Sequence, residues 1–313
     1  MELRPLGFGE IFDRAITLYV RNFVPFAGIV CVLVVPLAVL QYFLDVSSLP
    51  QWDQSIKILE HPTTSAGSAP MPVYFTSPTA GALLILTILL VYAVWPFALN
   101  ACTVGVARLY RGRPVEFVPC YRAALRHWPR VLGLLLIEAG IFVAWYVALF
   151  FGALVAVFLT IALARVLVPV AVLAGILEIA LGIAWLLFLA PLFVALTFAM
   201  NAIVVEERDV FTAVGLGFSR VFNRQEFWRA VLFSFASVAI LMGASMLTGA
   251  IAIAAMMVHW VVLEVVVATI FRAAFTPFSI VLLAIYYFDV RIRREGYDLE
   301  AGLERLTSDT AVA

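Results

Sequence analysis

Charge is what this chain has least of. Only 13% of its 313 residues are charged, against 65% hydrophobic residues, and the mean hydropathy is +1.07. Soluble domains carry about a quarter charged residues, so a soluble fold of this length cannot hide so much apolar surface. Lysine is nearly missing, with Lys57 the single one beside nineteen arginines. The formal net charge is zero, which excludes the basic face that nucleic acid requires, so no nucleic-acid partner is expected. The three cysteines, Cys31, Cys102 and Cys120, form no CxxC pair and lie in or beside apolar segments. They indicate neither a disulfide framework nor a zinc site and read as small core residues. The GxSxG, HExxH, P-loop and GxGxxG patterns are absent, and His61, His127 and His259 fall in three different settings. An enzyme is therefore the least favoured class, and no cofactor or metal is expected. No cleavable leader is visible, because Glu2, Arg4, Asp13 and Arg14 precede the first long apolar run. The first membrane helix is expected to act as its own insertion signal.

What the chain does have is apolar runs of membrane length. A helix needs about 20 apolar residues to cross a bilayer, and such runs occur at 24–43 and 82–107, with two more inside 131–205 and two inside 227–290. Seventeen of the nineteen arginines sit in 4–21, 108–130, 207–229 and 291–305. Positive residues favour the cytoplasmic side, so each apolar block starts and ends there and crosses an even number of times. Two crossings per block give six. The expected fold is all-α: one polytopic membrane domain over 1–313, with both termini cytoplasmic, in a bacterial cytoplasmic (inner) membrane.

Three times, a short charged, amphipathic stretch runs directly into the membrane run, starting near Glu10, Glu116 and Asp209. The expected organisation is three related units, each an interfacial helix followed by a helical hairpin, over 1–115, 116–208 and 209–290, with a cytoplasmic tail at 291–313. Unit one holds the one sizeable outer loop, 46–80, rich in Pro, Ser and Thr and expected to be irregular. In the other two, the outer turn is marked only by Arg165 and by 259–272. Their helices are either long and tilted, or joined by apolar segments lying in the outer interface; the second arrangement is expected for 250–270.

In the first lead-in stretch Phe8, Ile11, Phe12, Ala15, Tyr19 and Phe23 share one helical face, opposite Glu10, Asp13, Arg14, Thr17 and Arg21. The second sets Phe117, Tyr121, Ala124, Leu125 and Trp128 against Arg122, Arg126 and Arg130. The third sets Phe211, Val214, Phe218 and Phe222 against Ser219, Arg220 and Arg224, and is loosened by Gly215 and Gly217. Such helices are expected to lie flat on the inner membrane surface with their arginines near anionic headgroups. Phe12, Arg14, Arg21, Arg122, Arg126, Trp128 and Arg224 are the candidate interfacial anchors. Read for function, they form a cytoplasmic collar that binds membrane lipids or a membrane or cytoplasmic protein partner; the oligomeric state is left open.

An ionisable residue in hydrocarbon is costly unless paired or neutralised, which makes it a functional candidate. Three carboxylates qualify: Glu138, Glu178 and Glu264. Arg165 and Arg272 accompany the last two, Arg272 lying two helical turns beyond Glu264. Asn100 and Asn201, in the matching contexts Phe-Ala-Leu-Asn-Ala and Phe-Ala-Met-Asn-Ala, are placed to hydrogen-bond between units. Pro96, Pro169, Pro191 and Pro277 are expected to kink helices or free carbonyls. These residues serve either as interhelical glue or as a polar path. A water-accessible cavity touching two of the carboxylates would favour the path.

Two end segments carry a family resemblance. Residues 3–14, Leu-Arg-Pro-Leu-Gly-Phe-Gly-Glu-Ile-Phe-Asp-Arg, and 286–300, Tyr-Tyr-Phe-Asp-Val-Arg-Ile-Arg-Arg-Glu-Gly-Tyr-Asp-Leu-Glu, resemble the membrane domain attached to some bacterial glycerophosphodiester phosphodiesterases. Ser219, Arg224 and Phe227-Trp228-Arg229 are similar to its third lead-in helix, although Gly215 and Gly217 stand where relatives often carry arginine. The resemblance implies a six-helix bacterial inner-membrane protein. It does not imply phosphodiesterase activity, because the catalytic barrel, its His-Arg-Gly motif and its metal-binding carboxylates are missing. A membrane-organising or partner-binding protein ranks first, a carrier or permease for a lipid-related or small polar solute second, and an intramembrane enzyme a distant third.

Overall fold

A computed structural model of the protein describes residues 6–60, 77–165, 168–258 and 260–295. His61, most of the expected loop, His259 and the tail beyond Glu295 lie outside the described residues. All regular structure among the described residues is helical, in the order α1 (Phe8–Arg21), α2 (Phe23–Glu60), α3 (Pro78–Tyr110), α4 (Phe117–Arg126), α5 (Trp128–Ala164), α6 (Val168–Val205), α7 (Val210–Val221), α8 (Phe227–Met257) and α9 (Val261–Glu295). A short–long–long rhythm runs three times along the chain. The six long helices are each long and apolar enough to cross a membrane. In α5 none of the most apolar stretch is buried by protein, so lipid must cover it. The chain is a multi-pass membrane protein.

Two expectations about connections are overturned. The outer loop was expected to start at 46, yet α2 continues as helix through Glu60. Ser47 and Ser48, which read as loop residues, donate their hydroxyls to the Leu44 and Asp45 carbonyls and so are absorbed into the helix. The expected interfacial segment at 250–270 is also helix, interrupted only between Met257 and Val261. Its apolar residues satisfy their backbone groups best inside helices, the requirement of any segment in lipid. At about 1.5 Å per residue, the 37 residues of α5 span far more than the roughly 30 Å hydrocarbon core. Pro36, Pro50, Pro96, Pro191 and Pro277 all sit inside helices. Pro169 does not kink one, because it occupies the first turn of α6, where its missing N–H has no partner to lose.

The chain divides into two compact units, one comprising Met1–Arg126 with Ser237–Ala313, the other His127–Ala236. This division cuts across the threefold sequence pattern: the lead-in helix of the second repeat belongs to the first compact unit.

In the first compact unit the core is the C-terminal half of α9, where residues 279–292 are all buried. Leu6, just ahead of α1, meets the last turns of α9 there. Leu6 N–H donates to Asp289 Oδ1 at 2.7 Å, Arg293 Nε donates to Asp289 Oδ2 at 2.9 Å, and Arg293 also donates to the Leu6 carbonyl. The segments that carry the family resemblance are thus each other's partners across 283 residues of sequence. From that clasp α1 runs back along α9 as far as Tyr19, whose hydroxyl donates to the Ala274 carbonyl and whose ring packs on Phe278. Along this course Ile11, Ala15, Leu18 and Tyr19 are buried against protein. Phe8, Ile16, Val20 and Phe23 form a second, exposed apolar stripe, and Phe12 is half-buried between the two.

In the second compact unit α7 folds back on α6. The reversal passes through Glu207, a non-glycine residue in the left-handed region at φ 56°, and Arg130 donates to its carbonyl at 2.8 Å. The face that α7 buries against protein is Ala213, Gly217, Arg220 and Val221, while Phe211, 81% exposed, faces away from it. Two causes set which face packs. At Gly217 a Cβ would collide with the Ala195 carbonyl and crowd Ala199, so only glycine permits this approach. Arg220, assigned by pattern to the polar face, is buried because Glu206 waits for it at 2.8 Å.

Candidate functional site

The buried polar groups fall into separate clusters. The one with most chemical potential lies in the first compact unit, between α2 and α9. Asp45 on α2 and Glu264 on α9 are buried, at 9% and 8% exposure, with their carboxyls close enough to interact. Gln41 Nε2 donates to Asp45 Oδ1 at 2.7 Å. Asp45 Oδ2 and Glu264 Oε2 receive no N–H. The charge of Arg272 acts on both carboxyls, yet Arg272 forms no ion pair within 4 Å among the described residues. Glu264 and Arg272 line one cavity of about 240 Å³ between α8 and α9, together with Ser245, Thr248, Leu241 and Phe271.

Asp45 was missed by sequence reasoning. It stands at the end of the first apolar run, where the outer loop was expected to begin, so its position inside a helix was hidden. A usable signal was Gln41 four residues earlier, on the same helical face.

Glu178 and Glu138 belong to the second compact unit and do not meet. Thr160 donates to Glu178, whereas Glu138 lies 22 residues before Thr160 on α5, about 33 Å along the axis. Glu178 lines its own cavity of about 280 Å³ with Gly152, Gly182 and Trp185. Arg165 caps the exposed end of α5 at the hairpin turn. Neither cavity touches two of the three carboxylates predicted from sequence.

The asparagines are both deeply buried, at 0% and 1% exposure. The hydrogen bond expected of Asn100 is not made: its amide nitrogen and oxygen find no partner among the described residues. It lies in a run of buried residues, Ala98 to Thr103.

Among the candidate anchors, Arg21, Arg122, Arg126, Trp128 and Arg224 are exposed and Phe12 and Arg14 half-buried. The lead-in helices are held to the long ones by tyrosines as well as by apolar packing. Tyr121 donates to the Ile29 carbonyl at 2.6 Å. Burial pushes the Tyr19 and Tyr121 phenols and the Cys120 thiol up from their ordinary values, so the phenols remain neutral donors. All three cysteines are free, Cys102 and Cys120 buried. Among the described residues no three His, Cys, Asp or Glu side chains come together as a metal site.

No protein-family model, curated protein or solved structure matches this chain.

Proposed function

We propose that the chain is a non-enzymatic protein of a bacterial cytoplasmic membrane, both termini cytoplasmic, that organises the membrane or holds a protein partner at its inner face. It would be a stand-alone relative of the membrane domain that its end segments resemble. The observation that carries this reading is the way the short helices are built. Each is locked in place by specific buried contacts at or beside it, such as Asp289 to Leu6, Tyr121 to Ile29 and Arg220 to Glu206, while Phe8, Arg21, Phe117, Arg122, Arg126 and Phe211 are exposed. Rigid helices with exposed Arg, Trp and Phe suit headgroups or a partner surface. A carrier is the second reading, favoured by the Glu264–Arg272 cavity.

Photo-crosslinking residues placed at Arg122, Arg224 and Trp128 in living cells should capture the same partner protein from all three sites, and proteoliposomes should show no uptake of glycerophosphodiesters. Uptake by proteoliposomes without a constant crosslinked partner would overturn the reading in favour of the carrier. Sidedness is checked with an impermeant thiol reagent on a background lacking the three native cysteines: Ser77→Cys should label in intact cells and Gly112→Cys should not.

A further inference from the structure

Although α8 and α9 are joined by a turn, they make little contact with one another, and the polar cavity lies between them. A guanidinium inside a membrane span is costly unless an acceptor meets it, and the exposed Arg272 makes no ion pair within 4 Å among the described residues, so its donors suit an anionic group. The rest of the gap has the opposite demand. Ser245 donates its hydroxyl to the Leu241 carbonyl and Thr248 to Ala244 and Ser245, so both turn only acceptor lone pairs to the cavity. Glu264, and Asp45 behind it, add carboxyl oxygens that no N–H reaches. The site therefore offers the Arg272 donors together with carboxyl and hydroxyl acceptors. Arg272 brings a positive charge to the cavity, and the buried carboxyls bring oxygens without a partner. A guest carrying both signs gives each of them its complement.

We propose that the gap between α8 and α9 binds the headgroup of a zwitterionic phospholipid of the ethanolamine type, its phosphodiester on Arg272 and its ammonium on the Glu264–Asp45 pair. The splayed helices admit the lipid sideways, and Leu241 and Phe271 give its chains an apolar wall. A primary ammonium is required because its N–H groups can reach the unpartnered carboxyl oxygens; a trimethylated one has none to give. This goes beyond the inner-face role proposed above and does not depend on it.

The test uses the full-length protein purified in a neutral detergent and mixed with matched phosphatidylethanolamine, phosphatidylcholine or phosphatidylglycerol. Bound lipid is counted by native mass spectrometry, and thermal stability is followed in parallel. Phosphatidylethanolamine should be retained about tenfold better than either of the others, the factor expected for one charge-assisted contact. Arg272→Gln and Glu264→Gln should each remove the preference, and Arg272→Lys should keep part of it. Should a variant fail to fold, the ranking of the three lipids by the wild-type protein decides alone. Equal retention of all three overturns the proposal. So does protection by soluble phosphoethanolamine equal to that by the lipid, which points to a free solute. Efficient Thr248→Cys crosslinking between two protomers without lipid preference also overturns it, since a second copy then fills the gap.

Discussion

Breaking the buried ion pair of α7 should cost more than removing it whole. Arg220 and Glu206 are bidentate, at 2.8 and 3.1 Å, with side chains 3% and 6% exposed. Removing one partner of such a pair strands a charge away from water and costs about 3–5 kcal/mol. Arg220→Met belongs at the low end, because Arg208 remains 3.8 Å from Glu206. Glu206→Leu belongs at the high end, because it leaves a nearly inaccessible guanidinium without its carboxylate. In the double variant no charge is stranded and the apolar replacements pack where the pair stood, so its stability should lie within about 1 kcal/mol of wild type. The cycle therefore predicts a coupling of at least about 3 kcal/mol. Reversible unfolding by SDS in mixed micelles, followed by helical circular dichroism, measures all four proteins. Single substitutions costing under about 1 kcal/mol each, or adding up to the double within about 0.5 kcal/mol, would refute the claim that this pair sets which face of α7 packs.

Three further perturbations probe other contacts. Gly217→Leu should detach α7, seen as new protease cleavage near 210–221, because its Cβ meets the Ala195 backbone, whereas Gly215→Ala meets nothing within 4 Å and should stabilise by about 0.5–1 kcal/mol. Asp289→Ala removes the acceptor for Leu6 N–H and Arg293 and should cost about 2–3 kcal/mol, with the segment ahead of α1 becoming open to limited proteolysis; unchanged cleavage counts against the clasp. Asp209 caps α7, and hydrogen bonds from Thr212 hold its carboxyl below the ordinary 3.8. A folded value below the unfolded one means that the cap's contribution is complete above 3.8 and fades as pH falls through the lower folded value. The stability gap between wild type and Asp209→Ala should therefore be constant from neutrality down to mild acid and close only below that, and a gap that closes near neutrality would contradict the assignment.

The helices themselves were legible in the sequence because membrane-spanning segments obey a one-dimensional rule. About 20 apolar residues in a row must be helix, since lipid offers the backbone no other hydrogen-bond partner. The same rule needs no knowledge of neighbours, so the six long helices and the short ones before them could be placed from pattern alone. The faces of the short helices could not. Pattern put Arg220 on the polar face, and the structure buries it, because the carboxylate of Glu206 and the room left by Gly217 draw that face against α6. Asp45 shows the same limit: its depth depends on α2 continuing past the membrane run, and its meaning depends on Glu264, 219 residues away. Composition and periodicity determined what kind of protein this is, since both act locally. Which charges are paired, which stay unpaired and where Leu6 meets α9 are relations between distant segments, and only the packed structure decides them.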